Sequence, residues 1–443
     1  MPLPNGLAVL RERDFRRFFI GYGTSLLGSS MASVAVAFAI LDTGGGGTEL
    51  GGVLAARTLP LLLVLLAGGV VTDRLGSRRV MLAADTVRCL TQGALALVLL
   101  GARPGLWALV FLVALWGAAE ALFNPALNAL VPHLTRGAAL SDANALLGMA
   151  ASATSIAGPM LAGVLTAVSG PSCVLALDAA GYAVSVVVLL LLPRAAPLPA
   201  PAASFTADLK GGWTAFRSRT WLWVTTAHIG LMNLFVWGPF LVLGPVVSQR
   251  RLGGASSWGL VMAVDGAGAV AGGIAMLLRR PRRPLFVAIA ASLGWSLPSA
   301  ALATGLPLAG VCGAAFLAGI GSAVCGTLYP AAVQRHVPRE VLARVSAYSS
   351  FGAFVLGPVG LAAAGPVALL VGTSGVLGFG VLWQTSAVIA VLALPAIRAV
   401  GPPRPLHGGT AEPPADEEAA GRTSRTARGR RRRRRRPPRR TPG

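Results

Sequence analysis

The chain has 443 residues, of which 54% are hydrophobic and only 12% are charged, and its mean hydropathy is +0.68. One soluble core cannot bury that much apolar surface, so a water-soluble domain is excluded and lipid is the expected solvent. The formal net charge of +22 does not indicate a nucleic-acid binder, because the basic residues lie in short loops and a terminal run rather than in one globular domain.

Twelve apolar runs follow one another, each about long enough to cross ~30 Å of hydrocarbon as a helix of roughly 20 residues. They lack the period-two alternation of an outer-membrane strand, so the predicted fold class is an all-α polytopic membrane protein. The first run is too long for a cleavable signal peptide. The predicted spans cover residues 18–41, 51–72, 80–101, 106–130, 144–168, 172–193, 222–247, 257–278, 285–304, 307–331, 346–371 and 375–397.

Short patterns repeat between the two halves of the chain, which predicts two six-helix bundles in a 6+6 pseudo-repeat. The repeats are Asn124, Pro125 and Ala126 with Tyr329, Pro330 and Ala331; Val131 and Pro132 with Val337 and Pro338; and Gly158 and Pro159 with Gly357 and Pro358. The predicted domains are a bundle at 1–193, a cytoplasmic linker at 194–221, a second bundle at 222–400 and a disordered arginine-rich tail at 401–443.

The loop charges predict the orientation. Nineteen basic residues fall in loops on one side of the spans, against Arg103, Arg250 and Arg251 on the other. The positive-inside rule then places both termini in the cytoplasm, in a multi-pass protein of the cell inner (cytoplasmic) membrane. The tail contains 13 arginines with no interleaved aromatic residue, so we expect it to meet anionic lipids rather than nucleic acid.

The loop after the second span runs from Gly69 to Arg79 and resembles the hallmark loop of the major facilitator superfamily, with Ser77 departing from the usual basic residue. The resemblance implies a conformational latch formed by Gly69, Asp73, Arg74, Gly76, Arg78 and Arg79. The chain is further similar to actinobacterial drug and siderophore exporters of that superfamily at Leu10, Asp14, Phe15, Arg16, Asp85, Arg88 and Arg344.

Gly158, Pro159 and Gly163 in the fifth span are similar to a helix-five motif of antiporters in that superfamily, although Thr154 and Ala162 depart from it. The resemblance implies proton-coupled efflux, as in multidrug resistance. Pliable packing of small residues around a proline also explains the pattern.

Ionisable residues inside spans are functional candidates, because each costs ~3 kcal/mol on insertion scales. Asp85 and Arg88 lie three residues apart in the third span and are expected to form a structural ion pair. Arg57 and Asp178 fall near predicted outer helix ends, where we expect their side chains to extend toward the membrane surface, with a functional role as the alternative.

Glu120 is the main candidate for proton coupling, because it shares one face of the fourth span with Asn124 and Asn128. A polar stripe of this kind predicts a water-filled substrate cavity, and a buried glutamate bonded to a neighbouring helix is the alternative. In the second half, the cavity candidates are His228, Asn233, Trp237 and Asp265.

The only lysine, Lys210, precedes a glycine and belongs to no phosphate-binding loop, so ATP-driven transport is not expected. We therefore predict a monomeric secondary active transporter that exchanges protons for small organic molecules by alternating access, with no enzymatic activity, cofactor or metal. The alternatives are a proton-coupled or facilitated uptake permease and a transporter-like membrane sensor or scaffold.

Overall fold

The computed structural model describes residues 9–101, 105–135, 139–193, 213–279 and 281–398. Within these ranges, the side chains of residues 65–70, 73, 339, 340 and 343 are outside the description. Most of the predicted linker and the whole predicted tail also lie outside the described residues, so their predicted roles stay predictions.

The described chain contains twelve helices long and apolar enough to span a membrane, and this confirms the predicted all-α polytopic fold. Their bounds agree with the predicted spans to within a few residues at most ends. In chain order they are α1 (Arg13–Asp42), α2 (Gly47–Leu75), α3 (Ser77–Leu100), α4 (Leu106–Leu134), α5 (Ala139–Ser169), α6 (Pro171–Leu191), α7 (Thr220–Leu252), α8 (Ala255–Leu278), α9 (Pro284–Ala303), α10 (Leu308–His336), α11 (Arg344–Val371) and α12 (Thr373–Ala393).

Three helices of the second half are locally irregular. Helix α7 contains π-helical turns at Asn233–Trp237 and Ser248–Leu252, and α9 contains a 3₁₀ segment at Ser292–Ser296. Helix α11 is interrupted between Phe354 and Gly357. Proline inside or next to these segments removes backbone donors, and other groups must then satisfy the freed carbonyls.

Most helix packing lies within each half of the chain. In the first half, α1 packs against α5 and α6, α3 against α4 and α6, and α2 against α4. In the second half, α8 and α9 pack against α10, and α7 packs against α11. The main contacts between the halves are α5 with α8 and α2 with α11.

These contacts between the halves are concentrated toward one end of the helices. The largest buried apolar cluster joins both halves and includes Phe38, Leu50, Phe240 and Leu361. It lies around the end of α1 and the beginning of α2, which is the predicted outer face. Two further clusters at the opposite end are each confined to one half, one around Phe15 and the other around residues such as Leu222 and Leu285.

Glycines allow the two halves to touch backbone to backbone at this outer end. A Cβ atom at Gly259 of α8 would overlap the carbonyl oxygen of Pro159 in α5 and would lie 2.9 Å from the Cα atom of Gly163. A Cβ atom at Gly365 of α11 would likewise overlap the backbone of Gly47 in α2. Side chains at these positions would therefore force the helices apart.

We predict that Gly259→Val will open the outer contact between α5 and α8. The measurement is labelling of an Ala37→Cys reporter, in a background with the four native cysteines changed to Ser, by a membrane-impermeant thiol reagent added at the predicted outer face. Labelling should become faster than without Gly259→Val. Gly273→Val on the same helix is the matched control, because its Cβ atom would meet nothing within 4 Å. Equal labelling rates in the two variants would contradict this role of Gly259.

Candidate functional site

A cavity of about 410 Å³ lies between the two halves. Helices α1, α2 and α5 form one side of it, and α7, α8 and α11 form the other. Its walls are mainly apolar, but Arg57 of α2 and Asp265 of α8 place opposite charges on opposite halves. The other lining residues are Ser30, Ser33, Val34, Ala37, Leu54, Thr58, Ser155, Pro159, Leu241, Pro245, Trp258, Met262, Gly266, Ala269 and Leu361.

Arg57 is held on the cavity wall by three kinds of contact. Its Nη2 atom lies 2.8 Å from Oε2 of Glu120, and its Nε atom donates to the same oxygen at 3.2 Å. Its Nη1 atom donates to Ser33 Oγ at 3.0 Å, and its guanidinium lies 3.8 Å from the ring centroid of Trp116. The side chains of Arg57 and Glu120 are only 20% and 24% exposed, so their charges compensate each other in a weakly hydrated site.

A second polar group lies deeper in the first half, between α3 and α6. Arg88 Nη1 lies 2.8 Å from Asp85 Oδ1, so these two residues form the expected pair, and Ser185 donates to Asp85 Oδ2 at 2.6 Å. The Arg88 guanidinium also lies over the rings of Tyr182 and Phe123, at 4.4 and 4.5 Å. Both carboxylate oxygens of Asp85 thus accept a hydrogen bond inside the bundle.

Asp178 completes this group. Gln92 Nε2 donates to its Oδ2 atom at 2.7 Å, whereas its Oδ1 atom has no hydrogen-bond partner among the described residues. Tyr182 lies one turn further along α6, and its hydroxyl meets Ser29 Oγ at 2.6 Å and accepts a hydrogen bond from Trp116 Nε1 at 3.1 Å. Because Trp116 also lies against Arg57, the deep group and the cavity wall share one network.

The structure differs from the prediction that Arg57 and Asp178 extend toward the membrane surface. Asp178 is fully buried, and Arg57 is directed into the bundle. The reason is that α2 begins at Gly47, four residues before the predicted span, so Arg57 lies nearly three turns inside it. Asp178 lies two turns inside α6 and faces α1 and α3 rather than a helix end.

The predicted polar stripe of α4 is divided between two environments. Glu120 reaches Arg57, whereas Asn124 and Asn128 are exposed toward the predicted inner end of the helix. Glu120 therefore borders the cavity through its partner. The contact of Glu120 with Arg57 of α2 agrees with the alternative interpretation, in which the glutamate is bonded to a neighbouring helix.

Of the predicted residues in the second half, Asp265 alone appears among the residues that line this cavity. His228 is buried, meets Ser292 of α9 at 3.1 Å and stacks on Trp383 of α12. Asn233 donates hydrogen bonds to the carbonyl oxygens of Ile229 and Ala353. These bonds satisfy backbone acceptors beside the irregular segments of α7 and α11. Trp237 packs against neighbouring aromatic rings, Phe240 and Trp295.

The predicted latch loop is described only in part. Gly76 has a φ of +84°, which permits the tight turn between α2 and α3. Arg78 donates to the carbonyl oxygens of Leu189 and Leu190 at 2.7 and 2.9 Å, and so caps the last turn of α6. Arg74 and Arg79 are exposed. The surroundings of Gly69 and the side chain of Asp73 are outside the description.

The antiporter-like motif of α5 lies where three helices meet. A Cβ atom at Gly158 would overlap Ser30 of α1, Pro159 lines the cavity, and Gly163 contacts α8. Small residues in this motif therefore bring α5 close both to its own half and to the other half.

The sequence did not identify the uncharged partners of the site, which include Gln92, Trp116, Tyr182 and Ser33. Uncharged polar and aromatic side chains are frequent in membrane helices, so none of them signals a site by type. A search for hydrogen-bonding residues one turn away from the charged positions would have found Gln92 and Tyr182, which lie four residues from Arg88 and Asp178.

Comparison with known proteins places the chain among transporters. The family model described as Major Facilitator Superfamily matches residues 18–361. The enterobactin exporter EntS of Citrobacter koseri is 26% identical over 407 residues, which covers 89% of this chain and 95% of that protein. Macrolide efflux protein A of Streptococcus pyogenes is 22% identical over 243 residues, and there the match spans 54% of this chain and only 60% of that relative.

Solved structures show the same fold. The nucleoside transporter NupG superposes with a TM-score of 0.69 at 14% identity, covering 86% of this chain and 98% of that one. The peptide transporter POT in complex with sulfate also gives a TM-score of 0.69, at 12% identity, covering 88% of this chain and 96% of that one.

We predict that Arg57 and Glu120 depend on each other for stability. Arg57→Met should destabilise the protein because it leaves Glu120 without a counter-ion, and the double variant Arg57→Met/Glu120→Met should recover part of the loss. A double-mutant cycle in purified protein, measured by chemical or thermal unfolding, should give a coupling energy of about 1–3 kcal/mol. Additive effects of the two substitutions would contradict a functional pair.

Proposed function

Because the chain belongs to the Major Facilitator Superfamily and is a multi-pass membrane transporter rather than an enzyme, we propose that it exports small amphipathic organic molecules in exchange for protons. The membrane is the cytoplasmic membrane, with both termini on the cytoplasmic side, as the loop charges favour.

The observation that carries this proposal is the cavity between the halves, with Arg57 on one wall and Asp265 on the other. A volume of about 410 Å³ is in the range of small-molecule sites, which are mostly apolar with a few polar groups that fix orientation. The apolar walls favour an amphipathic substrate.

Asp265 gives the cavity a preference for substrates that carry a positive charge. Arg57 is already neutralised by Glu120, whereas no salt bridge of Asp265 is found among the described residues. An amine or another basic group on the substrate would therefore meet an uncompensated carboxylate. Two relatives, a macrolide efflux protein and an enterobactin exporter, support a small organic substrate.

Alternating access follows from where the halves touch. Backbone contacts join them toward the predicted outer end, and their apolar clusters are separate toward the predicted inner end. Loading would occur from the inner side, after which the inner ends would close and the glycine contacts would open. In this cycle Arg57 and Glu120 have a coupling role, because a hydrogen-bond acceptor of the substrate beside Arg57 competes with Glu120 for the guanidinium.

We predict that the reconstituted protein will accumulate a macrolide in inside-out vesicles when the vesicle interior is acidic. Asp265→Asn should raise the KM for a basic macrolide by about tenfold, since loss of one charge contact of ~1.4 kcal/mol has that effect. Uptake is measured with radiolabelled erythromycin, and enterobactin is tested in parallel.

The matched control is Asp142→Asn, which also removes a carboxylate but at the beginning of α5, away from the cavity. It should transport like the unmodified chain. Accumulation that instead requires an acidic exterior in right-side-out vesicles would show an uptake permease and would contradict export.

A further inference from the structure

One fully buried carboxylate among the described residues of the first half has no salt-bridge partner. The described part of helices α1–α6 contains two ion pairs, Arg57 with Glu120 and Arg88 with Asp85. Asp178 has no exposed surface and takes part in neither pair. Its Oδ1 atom has no hydrogen-bond partner among the described residues, and its Oδ2 atom receives a single amide donor from Gln92.

The surroundings of Asp178 on each packed helix leave it uncompensated. On α3 the charged or titratable neighbours are Arg88, Asp85 and Cys89; Arg88 forms a salt bridge with Asp85 and none with Asp178. On α1 the facing residue is Gly28, and residues 25–31 contain no titratable side chain.

The remaining neighbours are more distant or neutral. On α6 itself the nearest titratable group is Tyr182, and α5 carries a single charged residue, Asp142, at its far end. Arg88, Arg57 and Glu120 act on Asp178 across space, but each of these arginines forms its salt bridge with another carboxylate. The pocket around Asp178 is therefore weakly polar, and no described residue forms a salt bridge with this carboxylate.

An ionised carboxylate in this position would be costly. A buried charge without a partner costs several kcal/mol even after relaxation, whereas a neutral carboxyl group with one hydrogen bond costs far less. Gly28 keeps the pocket closed, because the Oδ1 atom lies so near its Cα that a Cβ atom there would overlap it. These contacts favour the neutral, protonated form of Asp178 in the described conformation.

We propose that Asp178 is the group that carries the transported proton, an inference that rests on the proposed proton-coupled export. One O–H bond forms when the carboxylate takes a proton from water with the outer side open, and the same bond breaks when the proton leaves to the inner side. Glu120, which is held by Arg57, stays ionised and transmits the state of the cavity.

Asp178 lies one helical turn from residues that lead to the cavity wall. Tyr182 lies one turn from Asp178 and receives the hydrogen bond of Trp116, whose ring supports Arg57 on the cavity wall. On the other side, Gly28 belongs to the same helix as Ser30 and Ser33, which line the cavity. A local displacement of α1 from α6 that accompanies the rocking of the halves would therefore hydrate Asp178 and disturb the cavity wall together.

The test is infrared difference spectroscopy of the full-length protein in lipid nanodiscs between acidic and alkaline pH. A protonated-carboxyl band that titrates should be absent in Asp178→Asn and present in Glu120→Gln and in Asp142→Asn. Persistence of every titrating band in Asp178→Asn, or loss of the band in Glu120→Gln, would overturn the proposal.

A second variant keeps the carboxyl group in place. Gln92→Leu removes the amide donor, and the Gln92 Oε1 atom has no partner that would be left behind. Because hydrogen bonds stabilise the ionised carboxylate more than the neutral one, the titration midpoint of the band should move about one pH unit upward. The neighbouring isosteric change Thr91→Val should leave the midpoint unchanged. An unchanged midpoint in Gln92→Leu would contradict the assignment of the band.

Transport separates this proposal from the proposed function. With erythromycin as the probe, Asp178→Asn should retain substrate exchange across the vesicle membrane. Its accumulation of erythromycin driven by a proton gradient should fall more than tenfold. If the unmodified chain moves neither erythromycin nor enterobactin, the proposed substrates are wrong, but the infrared comparison still decides whether Asp178 binds the proton. Gradient-driven accumulation that persists in Asp178→Asn would refute the assignment.

Discussion

Charge inside a membrane-spanning bundle must be compensated, and this constraint organises the first half of the protein. Two arginines meet two carboxylates at 2.8 Å, and aromatic faces of Trp116, Tyr182 and Phe123 cover the guanidinium groups. Hydrogen bonds from Ser33 and Ser185 satisfy further polar atoms. The helices α2, α3, α4 and α6 are thus held in one register by polar contacts that lipid cannot replace.

The contact between the two halves has a different physical basis. It consists mainly of backbone approaches at glycine, as between Gly259 and Pro159, and of apolar packing around Phe38 and Phe240, with one exposed hydrogen bond from Gln249 to Asp42. Contacts of this kind need no specific donor or acceptor, so they can open and reform without leaving unpaired charge. Fixed polar pairing within a half and neutral packing between halves are the arrangement that a rocking transporter requires.

The sequence predicted the fold well because length and hydropathy determine where helices cross a membrane. It placed Asp85 beside Arg88, since residues three apart share a helix face. It placed Arg57 and Asp178 incorrectly, because partners such as Glu120 and Gln92 lie on other helices and periodicity cannot show which faces meet. For the same reason His228 and Asn233 were assigned to a cavity, whereas one binds α9 and the other satisfies broken helical backbone.

The proposed transport cycle requires that the halves move as two units about the cavity. Pulsed electron–electron double resonance between spin labels on exposed residues, in a background free of the native cysteines, measures this movement. One pair is at Leu75 and Leu278, at the predicted inner ends of α2 and α8, and the other is at Leu100 and Leu306, at the outer side. Addition of a macrolide should shorten the inner distance and lengthen the outer one. Two unchanged distances, or two that change in the same direction, would contradict a movement of the halves as two units.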